Sequence, residues 1–187
     1  MWILVLPAML LPGEPGGKSH VRAAQPPAAT AFVQTLTADE RAWLDNHPVV
    51  TVFQDADWPP IEFQDGRGEP SGMSEDYVRL IEQRLGITFK RVKGLTWEEG
   101  YARLKRGEIH MTTSVTPTPE RETFWAFTKP YMGAPIVIVT NPEVTYLADM
   151  RELAGKQVAV VGGYAATEWI PRDFPEIRLV RVKTVRE

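Results

Sequence analysis

The sequence predicts an α/β fold with a mostly parallel sheet. Short runs of β-branched apolar residues, which are typical of buried strands, alternate along the chain with segments whose apolar residues recur at helical spacing. Several of these helical segments begin at a capping box or end at a glycine. Such alternation favours parallel strands joined by crossover helices, with the helices packed on the faces of the sheet.

Composition excludes several classes of protein. The chain has 187 residues, of which 43% are hydrophobic and 24% are charged, a balance typical of a folded domain and not of a disordered chain. Its formal net charge of −3 argues against a protein that coats nucleic acid, so we expect no nucleic-acid partner. Because cysteine is absent, a disulfide scaffold, a thiolate metal site and a cysteine nucleophile are excluded.

Residues 1–31 are interpreted as a signal peptide or an uncleaved anchor, followed by a linker rich in Pro, Gly and Ala. The apolar run at residues 2–11 is shorter than the about 20 residues that span a bilayer, but it matches the apolar core of a signal peptide. Residues 23–24 and 29–31 offer small-residue cleavage sites, although no basic residue precedes the run and the spacer is long. A disordered tail is the alternative. Export favours a periplasmic location, either free or tethered to the inner membrane.

Folded structure is predicted to begin with a lead-in helix over residues 32–47. The helix opens at a capping box, in which the Thr37 side chain accepts from the backbone N–H of Glu40 while the Glu40 carboxylate reaches back. It is expected to stop before Pro48, because the residue that precedes a proline avoids the helical region.

Strands and helices alternate through the next part of the chain. One predicted helix carries apolar residues at helical spacing and ends at Gly86, and the next opens at a second capping box, which places Trp97 in its first turn. Residues 55–60 are predicted to form a stiff loop that is not a strand. Buried strands are predicted at residues 49–53, 88–92 and 109–113.

The second half of the chain continues this alternation. Thr118 followed by Pro119 is typical of an N-cap and the first residue of a helix. The β-branched run at residues 135–140 predicts a central strand, and Gly155 closes a short helix. Two further strands are predicted on either side of a last helix, at residues 157–161 and 177–182.

The candidate binding residues follow the predicted strands at their carboxyl ends, where open α/β sheets bind ligands. The Arg121 guanidinium could hold a carboxylate through two parallel hydrogen bonds, and the indole rings of Trp58 and Trp97 could enclose the body of a ligand. Asp55 could pair with an ammonium group. Together the set suits a small polar ligand that carries an anionic group. It comprises Asp55, Trp58, Trp97, Ser114, Thr116, Arg121, Gly163 and Tyr164.

Most of these residues also have a purely structural interpretation. Arg121 could be an exposed charge in a first helical turn, and Trp97 could be only a core residue of its helix. Gly163 could serve a turn that needs its backbone angles, and Asp55 could cap nearby amides. Trp58 is harder to explain in this way, because it lies in a predicted loop and on no periodic face.

The sequence gives no support for catalysis or metal binding. None of His20, His47 and His110 has the spacing of metal ligands. The sequence contains no nucleophile elbow, phosphate-binding loop or dinucleotide fingerprint. Asp55 and Asp57 could share one side of an extended segment, but nothing in the sequence separates their pKa values into an acid and a base.

Several short segments carry a resemblance to a known family. They are VTVFQDADWPPIEF (50–63), GMSEDY (72–77), TPTPER (116–121), FTKPY (127–131) and LAGKQVAVVGGYA (153–165). On these segments the chain resembles the bacterial periplasmic solute-binding proteins of family 3, the amino-acid-binding type. The lead-in LTADERAWLDNHP (36–48) is similar to the start of the flytrap sensor modules attached to membrane histidine kinases and diguanylate cyclases.

The resemblance implies a two-lobe Venus-flytrap of the periplasmic-binding-protein type. Lobe one would be near complete over residues 48–138, and lobe two would be partial over residues 139–187, because family members extend lobe two further and then return to lobe one. The acidic residue that family members supply from lobe two to hold an ammonium would lie beyond Glu187. The chain is therefore interpreted as a C-terminally truncated fragment.

The resemblance also implies roles for the candidate residues. Trp58 would stack on the ligand, and Trp97 would add a second aromatic face. Arg121 would clamp the ligand carboxylate with a hydroxyl partner at Thr116, and the turn at residues 163–164 would contribute from lobe two.

Two positions depart from the family pattern. Tyr164 stands where amino-acid binders carry a small hydroxyl residue, which puts an α-amino acid ligand in doubt. His110 stands where an acidic residue is common.

These inferences predict a non-enzymatic module that binds a small carboxylate-bearing solute, an amino acid or an organic acid, between its lobes without a cofactor or metal. The expected role is the sensor input domain of a transmembrane signalling protein, with a membrane kinase or cyclase in the same full-length chain. One alternative is a free transporter substrate-binding protein that delivers solute to a permease. Another is the binding module of a peptidoglycan-cleaving or dehydratase enzyme.

Overall fold

The computed structural model describes residues 2–7, 33–144 and 146–187, with the backbone alone for residues 2–7. Its helices and strands follow the alternation that the sequence predicts. In chain order they are β1 (Trp2–Pro7), α1 (Ala38–Asn46), β2 (Val50–Phe53), β3 (Asp57–Trp58), β4 (Glu62–Gln64), β5 (Pro70–Ser71), α2 (Met73–Leu85), β6 (Phe89–Val92), α3 (Trp97–Lys105), β7 (Met111–Thr112), a 3₁₀ helix (Arg121–Thr123), β8 (Ile136–Val139), a second 3₁₀ helix (Met150–Leu153), β9 (Gln157–Val161), α4 (Ala166–Asp173) and β10 (Arg178–Val182).

We call the group built on β2, β6 and β7 lobe one. Its three strands are parallel, in the order β6-β2-β7. Because side chains alternate between the faces of a strand, Val52 packs in one core with Val78 of α2, whereas Phe53 packs in another with Trp97 and Leu104 of α3. Helices on both faces of a parallel sheet confirm the predicted α/β fold, and the carboxyl ends of β2 and β7 lie side by side.

Gly100 is the point where α3 approaches β2 closely. A Cβ atom at this position would lie 2.2 Å from two ring carbons of Phe53, which is itself 1% exposed. We therefore expect Gly100→Ala to lower the free energy of unfolding by about 2 kcal/mol, because overpacking outweighs the better helix propensity of alanine. Urea unfolding would measure this loss, with Gly66→Ala as the control at a glycine that has open space around it. Equal midpoints for the two variants would contradict the expected clash.

We call the group built on β8, β9, β10 and β1 lobe two. Its four-stranded sheet has the order β10-β9-β1-β8, in which β9 is parallel to both neighbours and β8 is antiparallel to β1. A core of buried residues, including Leu153, Val158 and Ile170, lies between this sheet and α4. The prediction of a central strand at residues 135–140 is wrong, because β8 is an edge strand with partly exposed side chains. A β-branched run predicts a strand but does not specify its neighbours.

The start of the N-terminal apolar run forms β1, which lies between β8 and β9. The proposed cleavage sites at residues 23–24 and 29–31 lie outside the described residues, as does the linker. Cleavage or anchoring of this segment therefore stays a prediction. Among the described residues, no helix combines the length and the apolar character needed to cross a membrane.

Local signals account for several boundaries in lobe one and fail at two places. Both predicted capping boxes are present, at the starts of α1 and α3. The predicted loop at residues 55–60 contains β3, which forms a small antiparallel sheet with β4 and β5. The helix expected after Thr118 is only a short 3₁₀ helix, although the Thr118 hydroxyl does accept from the backbone N–H of Arg121 (3.3 Å).

Candidate functional site

A cavity of about 1030 Å³ extends along β7, from Trp43 and Val49 near the start of β2 to Asp55 and the turn that follows β9. Its size is in the upper range of small-molecule sites. Gly163 lies in the wall of an adjoining cavity of about 790 Å³. The structure thus brings the sequence-predicted site residues together, while their contacts with a ligand stay predictions. Those that line the first cavity are Asp55, Trp58, Trp97, Ser114, Thr116, Arg121 and Tyr164.

Arg121 is buried between the two lobes, with only 1% of its surface exposed. Its Nη1 donates to the carbonyl oxygen of Thr116 (2.9 Å), and its Nη2 donates to the carbonyl oxygen of Gly163 (2.7 Å). Its Nε lies 3.0 Å from Oε1 of Glu168, an ion pair without the alignment of a hydrogen bond. The interpretation of Arg121 as an exposed charge is therefore wrong.

The 3₁₀ helix and the face of α3 hold the Arg121 side chain in place. The backbone carbonyl of Arg121 accepts from the N–H of Trp125 (2.9 Å), which fixes the turn. The Tyr101 ring of α3 lies 5.5 Å from the guanidinium carbon, within the range of a cation–π contact. This ring covers one face of a charge that would be costly to bury without partners.

Trp97 serves both as a core residue and as part of the cavity wall. It is 6% exposed and packs against the ring of Phe53, with 5.9 Å between the ring centroids. Its Nε1 donates to the carbonyl oxygen of Gly163 (2.9 Å), which also accepts from Arg121. Gly163 has φ +76, and a Cβ atom there would lie 3.1 Å from the Trp97 ring. The close approach of this turn to the Trp97 ring therefore requires glycine.

Asp55 and Tyr164 form a second contact between the lobes. The Tyr164 hydroxyl donates to Oδ2 of Asp55, and the backbone N–H of Asp57 donates to Oδ1 of Asp55 (3.0 Å). Burial raises the pKa of the Asp55 carboxyl above its usual value, although the hydrogen bond from Tyr164 opposes this. Burial next to Asp55 also raises the pKa of the Tyr164 phenol, so the phenol stays a hydrogen-bond donor.

Glu62 lies behind Asp55 and was not among the predicted site residues. It is completely buried and accepts from the backbone N–H of Asp55 (3.0 Å) and from the hydroxyl of Thr113. Burial raises the pKa of the Glu62 carboxyl from 4.5 to about 7. Glu62 therefore supports the loop that carries Asp55 and makes this support sensitive to pH.

The raised pKa of Glu62 predicts a loss of stability as the pH rises. The folded state keeps a proton that the unfolded chain releases, so the contribution of Glu62 to the free energy of unfolding falls between pH 4.5 and about 7 and stays low above that range. We expect Glu62→Gln, which removes the titration, to be the more stable protein at pH 8 and to show a smaller fall from pH 5 to pH 8.

Urea midpoints at both pH values would measure this difference. Glu143→Gln, at an exposed glutamate, is the control and should keep the pH dependence of the natural chain. An unchanged pH dependence in Glu62→Gln would contradict the raised pKa. Asp55 titrates in the same direction, so a residual slope is expected.

Ser114 and Thr116 take part in contacts at the end of β7. Ser114 has φ +33, an uncommon backbone angle for a residue other than glycine. Its backbone N–H donates to the Tyr131 hydroxyl (3.1 Å), and its own hydroxyl lies 2.9 Å from the same oxygen. Thr116, which the family resemblance assigns as a hydroxyl partner, contacts Arg121 through its carbonyl oxygen.

Trp58 lies in β3 and lines the cavity beside Tyr164, with 6.2 Å between the two ring centroids. Its Nε1 is buried and has no hydrogen-bond acceptor among the described residues. An indole N–H that is buried usually finds a partner. This donor sets Trp58 apart from Trp97, whose N–H is bonded to Gly163.

Sequence reasoning missed Glu62, Glu168 and Tyr131. Glu168 lies in the first turn of α4. Acidic residues are common in this position because they interact favourably with the helix dipole, so Glu168 does not indicate a site. Glu62 and Tyr131 lie inside segments that carried the family resemblance, but each acts on a partner that is distant in the sequence. No local pattern reports such a pairing.

A family model of the bacterial extracellular solute-binding proteins, family 3, matches residues 50–178. The chain is also 31% identical over 144 residues to the virulence sensor protein BvgS of Bordetella pertussis, an alignment that covers 77% of this chain and 12% of BvgS. A probable amino-acid ABC transporter-binding protein of Haemophilus influenzae is 28% identical over 103 residues, which cover 54% of this chain and 40% of that protein.

Solved structures show the same fold. The B. pertussis BvgS periplasmic domain superimposes with a TM-score of 0.69 and 29% identity, over 80% of this chain and 29% of that one. The arginine-bound form of a truncated ArgBP from T. maritima superimposes with a TM-score of 0.65 and 29% identity, over 78% of this chain and 68% of that one. These neighbours are Venus-flytrap binding proteins, which confirms the predicted fold class. The chain spans only about an eighth of the length of BvgS, since the alignment covers 12% of it.

Proposed function

The chain belongs to the bacterial extracellular solute-binding proteins, family 3, and we propose that it is the ligand-binding part of a transmembrane sensor that takes a small carboxylate-bearing solute between its lobes. The observation that carries this proposal is the convergence of Trp58, Trp97 and Arg121 of lobe one, with Tyr164 of lobe two, on one cavity. The similarity to the BvgS sensor supports the signalling role over a role in transport.

The chemistry of the cavity suits a small anion with an apolar or planar body. A guanidinium can hold a carboxylate through two parallel hydrogen bonds, and indole rings offer flat apolar faces on either side. Trp58 Nε1 is a further donor that has no partner among the described residues. Because Trp58 Nε1 is itself buried, a solute acceptor would reach it only if neighbouring side chains move.

Binding would act on the arrangement of the two lobes. Gly163 and Tyr164 of lobe two already contact Trp97, Arg121 and Asp55 of lobe one. A solute that touches residues of both lobes stabilises their closed arrangement in proportion to its differential affinity for it. In a sensor this shift would be passed to a membrane kinase or cyclase in the same full-length chain, which is the partner that we propose.

A thermal-shift screen of the complete chain tests the ligand class. The probes are the L-amino acids together with small mono- and dicarboxylates such as acetate and succinate, each compared with its amide. We expect at least one carboxylate to raise the melting temperature while its amide does not, because ligand binding stabilises the folded state by mass action. Equal responses to the acids and their amides would argue against a carboxylate site.

A free transporter-binding protein is the second candidate function. The similarity to the H. influenzae transporter-binding protein and to arginine-bound ArgBP favours it. An immunoblot of fractionated cells separates the two roles. A sensor would be found in the membrane fraction as a much larger polypeptide, whereas a transporter-binding protein would be a small polypeptide released with the periplasm. Both roles place the cavity outside the cytoplasm, as in the family.

We infer no catalytic role for the cavity. The relatives are named as sensor and solute-binding proteins, although one structural neighbour is an ancestral amino acid-binding protein described as a precursor of cyclohexadienyl dehydratase. Asp55 and Glu62 are neighbouring buried carboxylates of the kind that acid–base catalysis uses, but only Asp55 of the two lines the cavity. Mass spectrometry of a bound solute after prolonged incubation would reveal any conversion, and an unchanged mass is expected.

A further inference from the structure

We propose that Glu168 is an internal competitor for the carboxylate site on Arg121 and that it thereby determines which solutes bind. This inference deepens the proposed function, since it assumes that Arg121 is the group that receives the solute carboxylate. It rests on the carboxylate oxygen of Glu168 that lies 3.0 Å from Arg121 Nε. Glu168 belongs to lobe two and Arg121 to lobe one, so the pair also bridges the lobes.

The protein already uses two N–H groups of Arg121 and places a carboxylate beside a third. Nη1 donates to Thr116 and Nη2 donates to Gly163, while Nε faces Glu168. A bidentate carboxylate needs two adjacent N–H groups of one guanidinium edge. On the edge formed by Nε and Nη2, the Glu168 carboxylate lies beside Nε as an ion pair, and Nη2 donates to the Gly163 carbonyl. A solute carboxylate that binds this edge must therefore replace Glu168.

The charges around Arg121 also favour replacement of Glu168 over addition of a second carboxylate. The buried guanidinium and the Glu168 carboxylate neutralise each other, and Asp55 is a further buried carboxylate in the wall of the same cavity. A solute carboxylate added to the intact pair would place two carboxylates on one guanidinium, in a site with little solvent to screen their repulsion. Replacing Glu168 keeps the charge balance, whereas addition does not.

Glu168 has space to move away from Arg121. Its side chain is 21% exposed, compared with 2% for the Arg121 side chain. It lines the adjoining cavity of about 790 Å³, whose wall also holds the cations Arg172 and Arg181. A displaced Glu168 carboxylate would thus remain hydrated and close to positive charge. Displacement costs less than burying a second anion beside Arg121.

Removing the charge of Glu168 should shift the selectivity of the cavity toward anions. We expect Glu168→Gln to bind a carboxylate from the screen at least about tenfold more tightly than the natural chain, with no change for the matching neutral amide. Glu98→Gln is the matched control, because Glu98 lines the same adjoining cavity, whereas the ion pair of Arg121 in the described part of the chain is with Glu168. Calorimetry that gives equal carboxylate affinities for Glu168→Gln and the natural chain would overturn the proposal.

A rescue experiment tests the same idea without knowledge of the natural solute. Glu168→Ala removes the carboxylate, and acetate is a free carboxylate that can take its place on Arg121. We expect acetate to raise the melting temperature of this variant by about 2–4 °C, whereas acetamide or chloride at the same concentration does not. The natural chain should respond equally to acetate and chloride, and the double variant with Arg121→Met should lose the acetate response.

The two experiments distinguish failure of this inference from failure of the proposed function. An acetate effect no larger than that of chloride on Glu168→Ala would overturn the competition, whatever solute binds. Acetate rescue together with solute binding that does not require Arg121 would show that Arg121 can hold a free carboxylate, but it would overturn the proposed carboxylate clamp and, with it, the control of solute binding by Glu168. If Glu168→Ala does not fold, the isosteric Glu168→Gln still decides the question through its affinity for carboxylates.

Discussion

Replacing Arg121 with alanine is expected to lower the free energy of unfolding by about 3 kcal/mol, because it breaks a buried ion pair and leaves buried acceptors without donors. The carbonyl oxygens of Thr116 and Gly163 would each lose a hydrogen bond, and Glu168 would lose its cation. Two of these three partners contact Arg121 across the boundary between the lobes. The variant should therefore also loosen the contact of lobe two with Trp97.

Arg121→Ala is also expected to weaken solute binding, independently of its effect on stability. Loss of the guanidinium should weaken the binding of a carboxylate solute by roughly 2–4 kcal/mol, as for one partner of a buried charge pair. Arg121→Lys keeps the charge without the planar fork, so it should fold better than Arg121→Ala yet still bind the carboxylate poorly. Calorimetry on Arg121→Lys thus measures the clamp in a more stable background.

An exposed arginine provides the control for this prediction. The Arg151 side chain is 78% exposed and, within the described ranges, forms an ion pair only with Asp149, so Arg151→Ala should change the free energy of unfolding by less than about 0.5 kcal/mol. Urea unfolding of the three variants would rank them. An Arg121→Ala midpoint equal to that of Arg151→Ala would show that the interlobe contacts of Arg121 add no stability.

The features that the sequence predicts well are those decided within a few residues. The capping boxes at Thr37 and Thr96 form as expected, because each needs only the glutamate three residues later. The run at Val50–Phe53 is a buried strand because almost every side chain in it is apolar, so both of its faces can be covered. Helix starts and buried strands can therefore be predicted from the sequence without knowledge of the rest of the fold.

The partners of the site residues are decided by tertiary structure, and the sequence does not reveal them. Arg121 was a candidate on chemical grounds, but its pairing with Glu168 depends on how lobe two approaches lobe one. The Glu62 carboxylate accepts a hydrogen bond from the hydroxyl of Thr113, which lies 51 residues later in the sequence, and no periodicity relates the two positions. A sequence pattern therefore supplies the chemical groups of a site, whereas packing determines which of them are already satisfied.

Gly72 illustrates a glycine whose importance only the packing reveals. In the sequence it follows Gly66 and Gly68 in a glycine-rich turn segment, and although it begins the GMSEDY segment of the family resemblance, nothing there indicates that its backbone must be glycine. In the structure it precedes α2 with φ 106 and ψ 178, a region that is essentially restricted to glycine. A Cβ atom at Gly72 would lie 2.6 Å from the carbonyl oxygen of Ile61 and 2.8 Å from that of Pro60.

Gly72→Ala is therefore expected to lower the free energy of unfolding by about 4 kcal/mol or more, in the range of severe single substitutions. The clash is with backbone and cannot be relieved by a side-chain rotation. The same carbonyl oxygens accept from Met73 N–H (3.1 Å) and Ser74 N–H (2.9 Å), so the first turn of α2 would lose its partners. Because Trp58 immediately precedes this loop, solute binding should weaken as well.

Gly68→Ala separates the clash from the backbone strain. Gly68 has φ +77 but open space around it, so alanine there should cost only the left-handed penalty of about 1–2 kcal/mol. Urea midpoints compare the two variants directly. Gly72→Ala could prove no less stable than Gly68→Ala. The loop at Pro60 and Ile61 would then be able to move, and the packing of α2 against this loop would not be what holds Trp58 beside the cavity.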